Sequence, residues 1–187
     1  MPARLGILLS GSGTTYVNLV EAIRRGELPA EIAVVISSRS DVGGVERAKD
    51  FGHPLVIAST PEAVTAALRA HRAEWVAMCG WLRFYDPPSD LRGRVLNIHP
   101  SLLPAFGGRG MYGIKVHRAV LAAGVAESGC TVHLVTGDYD SGPHLAQERV
   151  PVLAGDTPES LQMRVQAAER ALYPRALAAH ILHHPGT

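Results

Sequence analysis

The chain is 187 residues long, enough for one substantial domain and short for two, so residues 1–187 are read as a single domain. Apolar residues make up 47% and charged residues 19%, and no apolar run is long enough to span a bilayer, which excludes a helical membrane protein. Net charge is +1 with acids and bases interspersed, so no broad basic surface awaits a nucleic acid, and an anionic ligand would have to be met by a local field.

Met1-Pro2-Ala3-Arg4 runs directly into the apolar stretch Leu5 to Leu9 with no small-residue cleavage site, which reads as a first strand and not as a signal peptide. Strand-like and helix-like patterns then alternate: Val17 to Arg25 after the first strand; Ile32 to Ile36, then Val45 to Phe51; Leu55 to Ala58, then Pro61 to Arg72; and Trp75 to Met78. That alternation predicts right-handed βαβ crossovers and a mostly parallel sheet. Val95 to His99 supplies the next strand, and Ile114 to Ala123 carries apolar residues at helical spacing. Cys130 to Val135 and Leu145 to Val152 are two strands whose short connection, Gly137-Asp138-Tyr139-Asp140-Ser141-Gly142-Pro143, predicts an antiparallel pair. Thr157 is suited to cap a long helix running toward His183, which Pro174 is expected to kink or interrupt. Cys79 and Cys130 fit neither a CxxC pair nor a disulfide framework; buried free thiols in a reducing cytoplasm suit them best.

The run Asn97-Ile98-His99-Pro100-Ser101-Leu102-Leu103-Pro104 concentrates the chemistry. Side chains two apart on a strand share a face, so Asn97 and His99 point the same way, and Pro100 and Pro104 restrict the backbone beyond them. A carboxamide can donate to a developing oxyanion, and an imidazole exchanges protons near neutral pH, a pairing suited to acyl transfer. Taken alone, the run is equally a polar strand end followed by a proline turn.

Ser10-Gly11-Ser12-Gly13-Thr14-Thr15 joins the first strand to the first helix, where free N–H groups and the positive helix end can cradle an anion, so the loop by itself reads as a phosphate site or a tight turn. Gly11-x-Gly13 with Ser38-Arg39-Ser40 also raises an NADP-binding alternative, although Tyr16 stands where a third glycine belongs. Asp138 and Asp140 are either turn formers or, for Asp140, a carboxylate folded back to hold His99 protonated. His133 either neighbours that site or is a satisfied core histidine. Trp81-Leu82-Arg83-Phe84-Tyr85 forms either an aromatic wall for a flat heterocycle or a hydrophobic plug. His180, His183 and His184 have metal-compatible spacing but no acidic or thiol neighbour, so they are read as a helix end. Ser101 and Cys79 lack a base in a nucleophile-elbow context and are set aside as nucleophiles.

These motifs, in this order over nearly the whole chain, resemble the folate-dependent glycinamide ribonucleotide formyltransferase family. The similarity covers the Ser10 to Thr15 loop, Gly80 to Arg83, Asn97 to Pro104, Gly137 to Pro143, Val150-Pro151-Val152, Gly155-Asp156-Thr157 and Gln166 to Pro174. The resemblance implies an α/β, Rossmann-like formyltransferase fold: a mostly parallel central sheet with an antiparallel C-terminal portion, flanked by helices. It also implies formyl transfer from 10-formyltetrahydrofolate, a cosubstrate, to the amine of glycinamide ribonucleotide in purine biosynthesis, with no metal, nucleic-acid or membrane partner. By the same resemblance Asn97, His99 and Asp140 form the catalytic trio. Gly11, Ser12, Gly13, Thr14, Thr15 and Glu169 meet glycinamide ribonucleotide. Leu82, Arg83, Phe84, Tyr85, Asn97, Gly137, Asp138, Tyr139 and Asp140 meet folate. A homodimer is compatible with this reading. The extra domains of the family's tRNA-formylating and folate-hydrolysing relatives are not expected here. Two departures stand out: Thr14-Thr15 replaces a common Ser-Asn, and Gly107 to Gly113 is a glycine-rich loop suited to a lid. No arginine matches the one that some relatives place after the third strand to meet the folate glutamate tail.

Overall fold

A computed structural model describes residues 2–184. Its strands are β1 (Ala3–Leu9), β2 (Ala30–Ser37), β3 (Leu55–Ile57), β4 (Trp75–Met78), β5 (Val95–His99), β6 (Glu127–Leu134) and β7 (His144–Pro151). They lie in one sheet in the order β3-β2-β1-β4-β5-β6-β7. β1 to β5 pair in parallel, whereas β5–β6 and β6–β7 are antiparallel. The helices are α1 (Thr14–Arg24), α2 (Gly43–Asp50), α3 (Pro61–Ala70), α4 (Ile114–Ala122) and α5 (Pro158–His183), with a 3₁₀ turn at Ser89–Leu91. The expected mixed α/β sheet is therefore present, with its antiparallel part at the C-terminal end.

Strand periodicity sorts the core into two layers. Leu5, Ile7 and Leu9 of β1 pack with α1, α4 and α5 on one face, and Leu8 packs with α3 on the other. Gly6 belongs to the α3 face, where a Cβ would lie 2.4 Å from Leu68 Cδ2, so the absent side chain lets α3 approach the sheet. Buried Tyr173 of α5 brings its hydroxyl within 3.1 Å of the Met78 carbonyl and 2.9 Å of the Leu96 carbonyl, fastening α5 to β4 and β5.

Two boundaries depart from the sequence reading for identifiable reasons. α1 begins at Thr14, three residues before Val17, because Gly13 starts it in the left-handed region (φ 77°) without a side-chain cap. β6 begins at Glu127 because Gly129, where a Cβ would come within 2.0 Å of the Glu148 carbonyl, lets β7 approach closely. α5 also corrects the expected interruption at Pro174, since the helix continues through it to His183. Proline removes the N–H that would bond the Arg170 carbonyl, and Asn18 of α1 donates its side-chain amide to that carbonyl instead, at 3.0 Å. Thr157 caps α5 as expected, in a reciprocal capping box with Ser160. No described helix is long and apolar enough to cross a membrane.

Candidate active site

β1 has β2 on one side and β4 on the other, so the direction of winding reverses between β1 and β4, and a crevice opens at their carboxyl ends. A cavity of about 610 Å³ fills it. Its walls include Gly11 to Thr15 after β1, Cys79 to Tyr85 after β4, the end of β5, the Gly108–Gly113 loop, Asp138 to Asp140, and one face of α5. Of the residues expected to act in catalysis or to meet glycinamide ribonucleotide or folate, and of the possible neighbour His133, all but Gly137 line this space; Gly137 sits against Asp86 outside the wall.

Asn97, His99, His133 and Asp140 meet on its floor. Antiparallel register sets His133 directly opposite Asn97, with Asn97 Nδ2 and His133 Nε2 3.2 Å apart. The other ring nitrogen of His133 lies 3.0 Å from the Leu134 carbonyl, to which Nδ1–H donates, so that in the neutral ring Nε2 accepts from Asn97 and in the protonated ring Nε2–H faces Asp140. Buried His99 donates Nε2–H to the Phe106 carbonyl at 2.9 Å and turns Nδ1 toward Asp140 Oδ2, 3.4 Å away. Asp140 Oδ1 is 3.5 Å from His133 Nε2, and Oδ2 accepts the Gly108 N–H at 2.9 Å. Phe106 (φ 56°) and Asp140 (φ 53°) both occupy the left-handed region, strained for a side-chain-bearing residue, and this aims the Phe106 carbonyl and the Asp140 carboxylate at the same imidazole. A Cβ on Gly107 would lie 3.3 Å from Asp140 Cβ and 2.4 Å from Leu103 Cδ2, so glycine there makes room for the carboxylate.

At one end of the cavity, the amino end of α1 presents uncapped N–H groups from a loop packed on α2; a Cβ on Gly13 would meet Gly44 Cα at 2.7 Å. Gln162, Gln166 and Glu169 of α5 form an adjoining wall. Beyond the β4 end, Leu82, Phe84 and Tyr139 stand exposed at the mouth, with the Phe84 and Tyr139 rings 5.6 Å apart. Tyr85 is instead buried, its hydroxyl within 3.1 Å of Thr65 on α3.

Residues 3–177 match the formyl transferase family. The chain belongs to that family. It is 37% identical to the chloroplastic phosphoribosylglycinamide formyltransferase of Arabidopsis thaliana over 94% of this chain and 64% of that one, so it spans a little under two thirds of that curated relative. It superposes on the crystal structure of glycinamide ribonucleotide transformylase 1 from Symbiobacterium toebii with a TM-score of 0.85 and 40% identity, covering 95% of this chain and 86% of that one. For phosphoribosylglycinamide formyltransferase from Bacillus halodurans the values are 0.86, 33%, 95% and 95%.

The electrostatics of this formyl transferase site correct one expectation. Burial pushes the His99 imidazole below its ordinary value; Asp140 and the Phe106 carbonyl pull it back only in part. Asp140 therefore does not by itself keep His99 charged, because desolvation of a sealed ring outweighs one carboxylate. Burial raises the Asp140 carboxyl, but His133, His99 and the Gly108 N–H outweigh it and leave the group below its usual range. Burial pushes Glu169 up to about 7, with Arg170 opposing.

His117, Gln162 and Gln166 also line the cavity and were not singled out in the sequence. The spacing 162, 166, 169 on one helix face was a readable signal; His117 sat unnoticed inside an apolar helical pattern. Arg39, the supposed phosphate reader of the NADP alternative, is paired with Asp41 at 2.7 Å, and Ser38 donates to Ser10 at 2.7 Å. Cys79 and Cys130 are buried free thiols, and burial raises both, Cys130 to about 12. His180 lies 2.9 Å from the Gly93 carbonyl and edge-on to Trp75, as a helix-end contact. Among the described residues no cluster of three or more His, Cys, Asp or Glu side chains could hold a metal.

Proposed function

We propose that the chain transfers the formyl group of 10-formyltetrahydrofolate to the amine of glycinamide ribonucleotide, releasing tetrahydrofolate, within purine biosynthesis. The observation that carries this reading is the convergence of Asn97, His99 and Asp140 on one cavity floor between an anion-binding loop and an aromatic mouth. Family membership and the likeness to glycinamide ribonucleotide transformylase support it.

In this reading the phosphate of the acceptor rests on Gly11 to Thr15, and Glu169 draws its amine toward the floor. The folate heterocycle enters along Leu82, Arg83, Phe84 and Tyr85 and the Asp138 to Asp140 turn, with Gly137 supporting that turn from outside. The amine nitrogen bonds to the formyl carbon, and charge collects on the formyl oxygen. One Nδ2 hydrogen of Asn97 is committed to His133, and the second donates to this oxyanion. His99, entering the step with a second proton on the Nδ1 that faces Asp140, turns its Nε2–H from the Phe106 carbonyl to the same oxygen and keeps both protons. As the bond from carbon to the folate N10 breaks, the proton lost by the attacking nitrogen reaches N10 through a water held at Asp140. No covalent enzyme intermediate enters this scheme, and alignment of amine and carbonyl carbon supplies much of the acceleration.

Residues 1–187 act as one formyltransferase domain in this proposal, supported by the single sheet and the match over residues 3–177. The cytoplasm is its proposed compartment, in keeping with two unpaired buried thiols. The test is incubation with 10-formyltetrahydrofolate and glycinamide ribonucleotide while following tetrahydrofolate release. Turnover dependent on both substrates is expected; formylation of a different amine, such as an amino sugar nucleotide, with none of glycinamide ribonucleotide would overturn the assignment.

A further inference from the structure

The cavity holds three histidines, and a count of their ring nitrogens separates one from the others. His99 commits Nε2 to the Phe106 carbonyl and faces Asp140 with Nδ1. His133 commits Nδ1 to the Leu134 carbonyl and Nε2 to Asn97. His117, at the end of the first turn of α4, has no hydrogen-bond partner at its sealed Nδ1, although the residue is only 1% exposed and forms part of the cavity wall. Nε2 is left as the nitrogen that opens onto the cavity.

Tautomer and charge follow from that placement. A sealed N–H without an acceptor is rarer in proteins than a sealed lone pair, so the proton belongs on Nε2 and Nδ1 carries the lone pair. Three features disfavour a second proton: burial, the neighbouring His99, and the amino end of α4, which starts at Gly113 with no acidic residue in its first turn. α4 packs on α5, the helix that carries Gln162, Gln166 and Glu169, so His117 stands at the acceptor end of the cavity.

We propose that His117 is a substrate-contacting residue, a neutral Nε2–H donor to the amide carbonyl oxygen of the acceptor's glycyl arm. This rests on the glycinamide ribonucleotide reading above. An uncharged donor suits the position, because an imidazolium beside the acceptor amine would repel its protonated form, while a neutral N–H recognises the carbonyl and leaves the amine to Glu169. With phosphate held at one end of the acceptor and the amide carbonyl at the other, the amine is fixed in both distance and direction toward the formyl carbon.

The experiment compares His117→Ala, His117→Leu and His117→Asn with the unsubstituted protein in steady-state assays varying each substrate in turn. Loss of the donor is expected to raise KM for glycinamide ribonucleotide about tenfold while KM for 10-formyltetrahydrofolate stays within about twofold, and His117→Asn, which keeps an N–H, should recover part of the loss. Thermal unfolding of each variant identifies those that retain the fold, and His117→Leu preserves bulk where His117→Ala leaves a void. In protein labelled with ¹⁵N in the imidazole rings, the His117 signals should report a proton on Nε2 and shift when glycinamide ribonucleotide is added, and not when tetrahydrofolate is added alone. Unchanged acceptor KM in a folded variant, or a proton on Nδ1, would overturn the proposal. Absence of turnover in the unsubstituted protein would instead remove the functional reading beneath it.

Discussion

Asp140 Oδ2 stands 3.4 Å from His99 Nδ1, and the same oxygen takes the Gly108 N–H, so the carboxylate that addresses the imidazole is itself held by the glycine-rich loop. Because burial has already lowered His99, this carboxylate restores part of the proton affinity that desolvation removes. Asp140→Asn is therefore expected to shift the titration of His99, followed by its ring proton resonances, to lower pH and to reduce turnover. An unmoved midpoint would contradict the coupling.

Asn97 and His99 carry the proposed oxyanion contacts. Substituting either with alanine should lower kcat by roughly a hundredfold to ten-thousandfold with little change in affinity for inorganic phosphate at the Gly11–Thr15 loop. Near-normal turnover would remove the residue from the mechanism. His133→Ala should cost less, about tenfold, because it frees the Asn97 carboxamide to rotate without deleting it.

Glu169 sets a pH dependence of stability with a definite sign. Burial raises it from 4.5 to about 7, so the folded chain holds this proton more tightly than the unfolded chain does. Its favourable contribution is complete below pH 4.5 and is lost as pH climbs through 7. Glu169→Gln should be more stable than the unsubstituted protein at pH 8 by roughly 1–2 kcal/mol, a discounted figure because the carboxyl borders an open cavity, and should match it near pH 4. Chemical denaturation at the two pH values measures the difference, and equal stability at pH 8 would refute it. The same variant should bind glycinamide ribonucleotide more weakly.

Gly142 follows the turn that supplies Asp140, and a Cβ there would fall 1.8 Å from the Leu134 carbonyl oxygen. Backbone cannot yield as a side chain can, so Gly142→Ala should destabilise the protein by about 3 kcal/mol and move the Asp140 turn. A denaturation midpoint equal to that of the unsubstituted protein would show that the turn accommodates the methyl group.

The sheet was legible because its strands are short apolar runs bounded by glycine, proline or polar residues, as in Trp75–Met78 and Val95–His99, whose limits agree. The starts of α3, α4 and α5 were legible too, but that of α1 was not. α1 opens from a left-handed glycine rather than a capping side chain, and so lacks the usual signal. Within the site, Asn97 and His99 could be paired from strand periodicity alone. The approach of Asp140 depends on two left-handed residues and on Gly107, which no local pattern announces. His117 was hidden because its helical neighbours Val116 and Val120 are core residues, and a histidine among them reads as core.

The amide that Asn18 lends to the carbonyl beside Pro174 ties the helix rising from the anion loop to the one bearing Glu169, which precedes Arg170. The two positions should consequently drift together among homologues. Once residue 174 regains a hydrogen to offer, asparagine at 18 loses its task, and a lineage that discards one partner becomes free to discard the other.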